Sequence, residues 1–417
     1  MPLSIQSLLG KTAFAGTLLA GSVAYLYLAQ RHFRAEQWGE SIHRAGLERA
    51  ISLEPGTAAH HYKFGRLLLF VEQDPEAAVT HLRRATELNP GIPWYWLDLA
   101  AAYRVSGQDS QYREAVEAAI RADAKTPIVA WEAANLWLSD GDTERALPFF
   151  RVVVQNDPQS ARRALDLCWR ATEDVPKLLA TVVPPTIDAH LALLDVLTEH
   201  QQAEGAMRVW EHAVALKQYI SPHDAYPFVN YLILNREPEK AAAVWQALAA
   251  YTPGLMPEVR PGETPVVNGG FEEDLQSGGL SWWMEPPEGV EVEIDSSEFH
   301  SGTRSLAIAF LGKPVQLPGL MQYLPVKPDQ QYELSSFVKT SEVESASGPR
   351  WIIQDAADHH NFAAGTEWHG SNVWHEERIP FTTGPTTRMI LVLLARQQQQ
   401  RGITGKVWID DVRLFQR

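Results

Sequence analysis

The sequence predicts a multidomain chain in which one apolar N-terminal helix precedes an α-helical solenoid and an all-β jelly-roll sandwich. Three observations carry this reading: an uncharged run from Thr12 to Ala29, prolines that recur at a fixed offset from amphipathic helices, and a change near Tyr251 from helical periodicity to short alternating segments. At 417 residues the chain exceeds one ordinary core, and roughly 150 residues per domain gives two or three units. Its 45% apolar and 21% charged residues match the usual globular mix and exclude a disordered or collagen-like chain. A net charge of −15 repels a phosphate backbone, which sets nucleic acid aside as a partner. Cys168 is the single cysteine, so an intramolecular disulfide and thiol pairs for metal or redox work are excluded, while the compartment stays open.

Residues 1–35 form the first segment. Thr12 to Ala29 is about the minimum length of a membrane span, with Lys11 on one side and Arg31 and Arg34 on the other. Tyr25 and Tyr27 suit an interfacial belt and favour a retained anchor; Ser22, Val23 and Ala24 offer small residues for signal cleavage after Ala24, the alternative. Lys11 and the terminal amine oppose Arg31 and Arg34, so charge does not set the orientation.

Residues 36–253 carry a repeat. Ala50 precedes Pro55 by five residues, Ala85 precedes Pro90, Ala122 precedes Pro127, and Val153 with Pro158 and Leu248 with Pro253 keep the offset. Proline is expected to stop each second helix. The helical pairs resemble tetratricopeptide repeats, most clearly in Trp96, Leu99, Ala100, Tyr103 and Gly107, and again in Ala133, Ala134, Trp137, Gly141, Ala146, Phe150 and Pro158. About six units are expected, with a break between Ser160 and Thr186 where Pro184 and Pro185 mark an abrupt turn. The resemblance implies a protein-binding groove lined by the first helix of each pair. By register that wall takes Trp94, Leu97, Ala101 and Arg104, then Ile128, Trp131, Asn135 and Leu138. Trp94, Leu97, Arg104, Trp131 and Asn135 are therefore the candidate contacts for a partner protein or peptide, the alternative being that the tryptophans pack between helices.

Residues 254–265 read as a linker, punctuated by Gly254, Pro257, Pro261, Gly262 and Pro265. Strands are expected at Val290–Ile294, Leu306–Phe310, Tyr332–Lys339, Arg388–Leu394 and Gly405–Leu414, with turn signals between them. Asn268-Gly-Gly-Phe-Glu272 opens this segment, Trp408-Ile-Asp-Asp-Val412 closes it, and His300-Ser-Gly-Thr-Arg-Ser-Leu306 lies between. Residues 266–417 thereby resemble a carbohydrate-binding module with a galactose-binding-like jelly roll. The resemblance implies a structural calcium at Glu272 and Asp410, or else a turn and salt-bridge device in the same place without an ion. Strand parity groups Asp410 with Trp408, Val412 and Leu414, which makes it the ligand if that side packs inward. A sugar needs aromatic faces for its C–H patches and polar groups for its hydroxyls. Arg350, Trp351, Gln354 and Trp368 are the candidates, while Trp374, Trp282 and Trp283 are expected in or under the core. His359, His360, His369 and His375 define no metal spacing.

Phosphate-cradling, nucleophile-elbow, paired-histidine and dinucleotide signatures are absent from the sequence. The expectation is a non-enzymatic cell-envelope scaffold anchored in the inner membrane and facing the periplasm, holding a protein on its repeats and a glycan on its sandwich, in exopolysaccharide assembly or export. The alternatives are a purely protein–protein adaptor and, third, a carbohydrate-active enzyme; secretion after signal cleavage is the alternative location.

Overall fold

A computed structural model describes residues 8–252, 255–257, 259, 261–397 and 401–417. Residues 1–7 of the N-terminal segment, Pro253 at the end of the repeat segment and Gly254 at the start of the linker lie outside the described residues. The chain forms two compact units, Met1–Pro184 and Pro185–Arg417. The division falls at the Pro184–Pro185 turn rather than at the 254–265 linker, so the last helices belong to the same unit as the sandwich.

The first unit holds α1 (Leu8–Gly39), α2 (Arg44–Leu53), α3 (Ala58–Arg66), α4 (Pro75–Leu88), α5 (Pro93–Val105), α6 (Asp109–Ala122), α7 (Pro127–Ser139), α8 (Thr143–Asn156), α9 (Pro158–Thr172) and α10 (Val175–Thr181), with a π-helical turn Leu67–Val71 continuing α3. The recurring prolines do more than end helices: Pro127 and Pro158 are the first residues of α7 and α9, where a missing N–H costs nothing and the ring presets φ. Side chains of Asp74, Asp142, Asp157 and Asp174 cap helices by accepting a hydrogen bond from a backbone N–H three residues on. Gly107 and Gly141 turn the α5–α6 and α7–α8 hairpins at φ +69° and +77°. Ala133, Ala134, Tyr103 and Phe150 are buried between helices, as the repeat resemblance requires.

α1 joins two environments. Lys11–Gly39 is long and apolar enough to cross a membrane by length and composition, and Phe14, Leu18, Leu19, Val23 and Leu26 all lie exposed. Its last turns instead bury Ala35 and Gly39. α1 thus supplies the first helix of a pair with α2, and counting it gives seven pairs among the described residues rather than about six.

The second unit holds two more pairs, α11 (Ile187–Glu199) with α12 (Ala203–Ala215) and α13 (Pro222–Leu234) with α14 (Pro238–Ala249), followed by strands. These are β1 (Glu263–Thr264), β2 (Trp283–Met284), β3 (Val290–Asp295), β4 (Ser305–Leu311), β5 (Leu320–Pro325), β6 (Gln331–Glu344), β7 (Arg350–Asp355), β8 (Asn361–Ala364), β9 (Gly370–Thr382), β10 (Met389–Ala395) and β11 (Thr404–Gln416). One sheet runs β3-β4-β11-β6-β9 with β1 beside β11, the other β2-β5-β10-β7-β8, and the pairings are antiparallel. Alternate residues of both sheets, among them Leu306, Ile308, Val338, Val407, Ile409, Leu324, Ile390 and Val392, meet in one core. Strand order and two-sheet packing make this a jelly-roll-like sandwich.

Within this unit the sandwich is docked on the last helical pair. The Gln276–Leu280 loop packs against the stacked rings of Tyr226 of α13 and Trp245 of α14. The Tyr226 hydroxyl donates to Gln276 Oε1 at 2.8 Å and the Gly279 N–H to Asn230 Oδ1 at 2.8 Å. Trp245 is buried and donates from Nε1 to the Leu255 carbonyl at 3.0 Å, and Arg388 pairs with Glu239 at 3.2 Å. Tyr323, Met389, Leu391 and Leu393 do not belong to the inter-sheet core, yet all are buried. Tyr323 shares a cavity wall with Ala242 and Trp245, and Met389 shares another with Ile233 and Pro238. The outer face of the β5–β10 sheet is therefore apolar and covered.

Candidate functional site

The residues expected to stack on sugar lie elsewhere. Trp351 is 0% exposed, packs against Trp282 and Trp368, and donates from Nε1 to Ser336 Oγ at 2.9 Å. Trp368 is 3% exposed and donates to Glu377 Oε2 at 2.9 Å. Both rings are core, because Trp351 falls on the inward phase of β7 and the 366–369 loop folds Trp368 over the sandwich edge. Arg350 and Gln354 take the outward phase of β7, half-buried; Gln354 bonds Asn361 at 2.9 Å and Arg350 lies 3.9 Å from Glu367. Trp282 is buried as expected, and Trp283 is half-buried.

Three half-exposed rings share the outer face of the other sheet, where Trp374 was expected in the core. Trp374, Phe337 and Trp408 project from β9, β6 and β11 on the outer face, and Trp374 Nε1 donates to Glu298 Oε1 at 2.9 Å. His300 stacks on Phe337 with centroids 3.5 Å apart and lies 6.0 Å from the Trp374 ring. Lys339 bridges to Glu298 at 2.6 Å, and both Lys339 and Lys406 sit over the Trp408 ring at 5.5 and 4.9 Å. Trp408 Nε1 donates to Asp295 Oδ2 at 2.9 Å. Burial opposes ionisation of Asp295, but hydrogen bonds from Ser297 and Trp408 and the Lys406 charge outweigh it and hold the carboxyl well below the usual range. The Lys339 ammonium likewise lowers Glu298. The result is a fixed network of charged groups beside aromatic rings.

A β-bulge explains why strand parity fails. The β11–β6 register shifts between Asp410 and Arg413, with Asp411 at φ +51°. Trp408 and Asp410 therefore face away from the core, whereas Val412 and Leu414 beyond the bulge face into it. The inward packing of Trp408 that parity permits does not occur.

Asp410 is nonetheless fully buried, because the 300–304 turn covers it. Its Oδ2 accepts from the His300 and Ser301 N–H groups at 2.9 and 3.0 Å, and its Oδ1 accepts from the Asp411 N–H at 2.7 Å. Burial raises its pKa. Glu272 grips the other end of the same turn, accepting from Thr303 N–H at 2.8 Å and Thr303 Oγ1 at 2.6 Å. The carboxylate that clusters with Asp410 is Asp411, with His300, rather than Glu272. Glu272 and Asp410 are each already bonded through both oxygens, and they differ in their partners: Asp410 bonds backbone amides, whereas Glu272 also accepts from the Thr303 hydroxyl.

In the repeats, Leu97 is buried with Ala119 and Val129, which removes it from the groove. Trp94 is 47% exposed. Trp131 is half-buried, its ring edge-on to Phe150 and beneath Arg163 at 5.0 Å, and Asn135 bonds the Trp131 carbonyl at 2.7 Å. Arg104 reaches Glu132 on α7 at 3.6 Å, and Arg66 on α3 reaches Asp98 on α5 at 3.2 Å. Successive first helices are thus stitched by arginine–carboxylate pairs along one wall, a pairing that sequence offsets within one helix do not reveal.

No family model and no curated protein matches the chain. Among solved structures it is similar to a CBM4 module (13% identity, covering 36% of this chain and 99% of that one, TM-score 0.29). It is also similar to the CBM22-1 xylan-binding domain of Paenibacillus barcinonensis Xyn10C (18%, 36% and 91%, TM-score 0.27). YrrB, a TPR protein with an unusual peptide-binding site, is a third (15%, 51% and 94%, TM-score 0.26). The chain joins tetratricopeptide-like helical pairs to a sandwich like that of carbohydrate-binding modules. Helix pairing and strand order, not these likenesses, define the fold.

Proposed function

We propose that the protein is a non-enzymatic, membrane-tethered cell-envelope scaffold that holds a protein partner on its helical pairs and a glycan on the β3-β4-β11-β6-β9 face. One observation carries the glycan half of this reading. The β5–β10 part of the other sheet's outer face is apolar and covered by α13 and α14, whereas Trp374, Trp408 and Phe337, ringed by Lys339, Lys406, Asp295 and Glu298, form a half-exposed aromatic surface on this one. Rings supply contact area to pyranose C–H groups, and charged groups fixed by their neighbours bond hydroxyls without first being ordered. Tethering rests on the exposed apolar face of α1. Glycan polymers lie outside the cytoplasm, so the folded part belongs in the periplasm; protease cutting of the sandwich in sealed inverted vesicles would reverse that orientation. A role in exopolysaccharide assembly or export suits the pairing of surfaces.

The test is a glycan array with full-length chain in nanodiscs. Trp374→Ala and Trp408→Ala are each expected to weaken binding by tenfold or more, about 1.4 kcal/mol, with little change in melting temperature. If the unmodified chain binds no glycan, a protein–protein adaptor remains.

Calcium at Asp410, with Glu272 at the far end of the turn, belongs to the same proposal. Its support is a fully buried carboxylate that, among the described residues, bonds backbone amides and no ammonium or guanidinium. A hard dication would offset that charge. Chelator treatment is expected to lower the melting temperature by several degrees, reversibly on adding Ca2+; an unchanged melt would leave the amide-bonded turn as the whole device.

A further inference from the structure

A second cluster lies where α1 leaves its apolar stretch. His32 and Glu36 are one turn apart on α1 and share a face. The Glu54 carboxylate, at the C-cap of α2, lies 3.1 and 3.0 Å from His32 Nδ1 through its two oxygens. One ligand atom each from His32, Glu36 and Glu54 lie within 4.8 Å of one another. An exposed ion pair between His32 and Glu54 would account for those two residues alone.

It does not account for His60. This residue lies in the first turn of α3, its side chain is 2% exposed, and neither ring nitrogen has a hydrogen-bond partner. Its Nε2 lies 3.9 Å from Glu36 Oε1. A buried imidazole without a partner is uncommon, since buried polar groups are nearly always satisfied. The ring is held against the α1 backbone, where a Cβ on Gly39 would come within 2.6 Å of it. Thr57 Oγ1 donates to Glu54 Oε2 at 3.3 Å, an outer contact of the kind that orients a ligating carboxylate.

We propose that His32, Glu36, Glu54 and His60 form a divalent-metal site that takes Zn2+ and ties the anchor helix to the first repeat. Two neutral imidazoles and two carboxylates suit zinc, and donors about 2.0–2.2 Å from a tetrahedral ion stand roughly 3.4 Å apart. The first three donors stand within 4.8 Å of one another and His60 Nε2 lies 3.9 Å from Glu36 Oε1, so the side chains must rotate inward to reach that. The ion would link α1, the end of α2 and α3 immediately beyond Arg31, and so set the angle at which the repeats leave the membrane helix. The site is independent of the glycan reading.

The experiment uses chelator-stripped full-length chain in nanodiscs. Titration with Co2+ is expected to give one ion per chain with the strong visible absorption of four-coordinate cobalt, displaced by Zn2+. The exposed-side variants His32→Asn and Glu54→Gln keep the buried His60 in place, and each is expected to weaken Zn2+ binding by about tenfold or more. Glu48→Gln, an exposed carboxylate on α2, serves as control and is expected to bind normally. The proposal is overturned by a weak octahedral spectrum, by affinity unchanged in both variants, or by binding that disappears in His300→Asn, which would place the ion at the His300, Asp410 and Asp411 cluster.

Discussion

Gly279→Ala is expected to destabilise the Pro185–Arg417 unit by about 2–5 kcal/mol. Gly279 has φ +59°, in the left-handed region, where an L side chain costs roughly 1–2 kcal/mol. A Cβ there would lie 2.2 Å from Trp245 Cζ3, inside van der Waals contact, and overpacking of this kind costs about 1–3 kcal/mol. Trp245 has little room to retreat, because it is buried, stacked on Tyr226 with centroids 5.6 Å apart, and bonded to the Leu255 carbonyl. The adjacent Gly278 is similarly confined, its Cβ position 2.9 Å from the Tyr226 ring. Denaturant unfolding followed by tryptophan fluorescence reads the effect. A loss below about 1 kcal/mol would mean that the loop does not pack against the two rings and that the sandwich is not fixed to α13 and α14.

Trp351→Ala is expected to cost about 3–5 kcal/mol, the usual range for emptying a large aromatic site in a core. The substitution removes the ring between Trp282 and Trp368 and strands the buried Ser336 hydroxyl that accepts its N–H. An exposed sugar platform behaves differently: its loss typically changes stability by about 0.5 kcal/mol or less while abolishing binding. Near-ultraviolet circular dichroism and a thermal melt separate the two. Unaltered stability with lost glycan binding would return Trp351 to the surface and undo the assignment of the binding face to the opposite sheet.

Trp351 and Trp374 show how far one strand's sequence reaches. β7 and β9 both read as strands, and alternation gives each tryptophan two possible sides. Trp374 sits where the β6–β9 register shifts between Val338 and Thr340, so its side follows from pairing with β6 and not from its own neighbours. Trp408 repeats the lesson: Asp411 at positive φ inserts one residue, and the phase shared by Trp408 and Val412 on paper is broken. Leu97 illustrates the helical version, since its packing on Ala119 and Val129 depends on the angle between hairpins, which heptad-like counting along α5 does not contain.

What the sequence determined by itself was the class of each segment. Local backbone preferences and the period of burial are short-range properties, so an uncharged run, a 3.6-residue rhythm closed by prolines and a two-residue rhythm broken by turns were each legible without partners. The tertiary structure alone decided which surfaces remain free. The β5–β10 face is covered because Tyr226, Asn230 and Trp245 meet a diglycine loop well beyond them in the chain, and Trp374 and Trp408 stay at the surface because distant strands fix their side. Burial of a face is a property of two surfaces that meet, and a linear pattern holds only one of them.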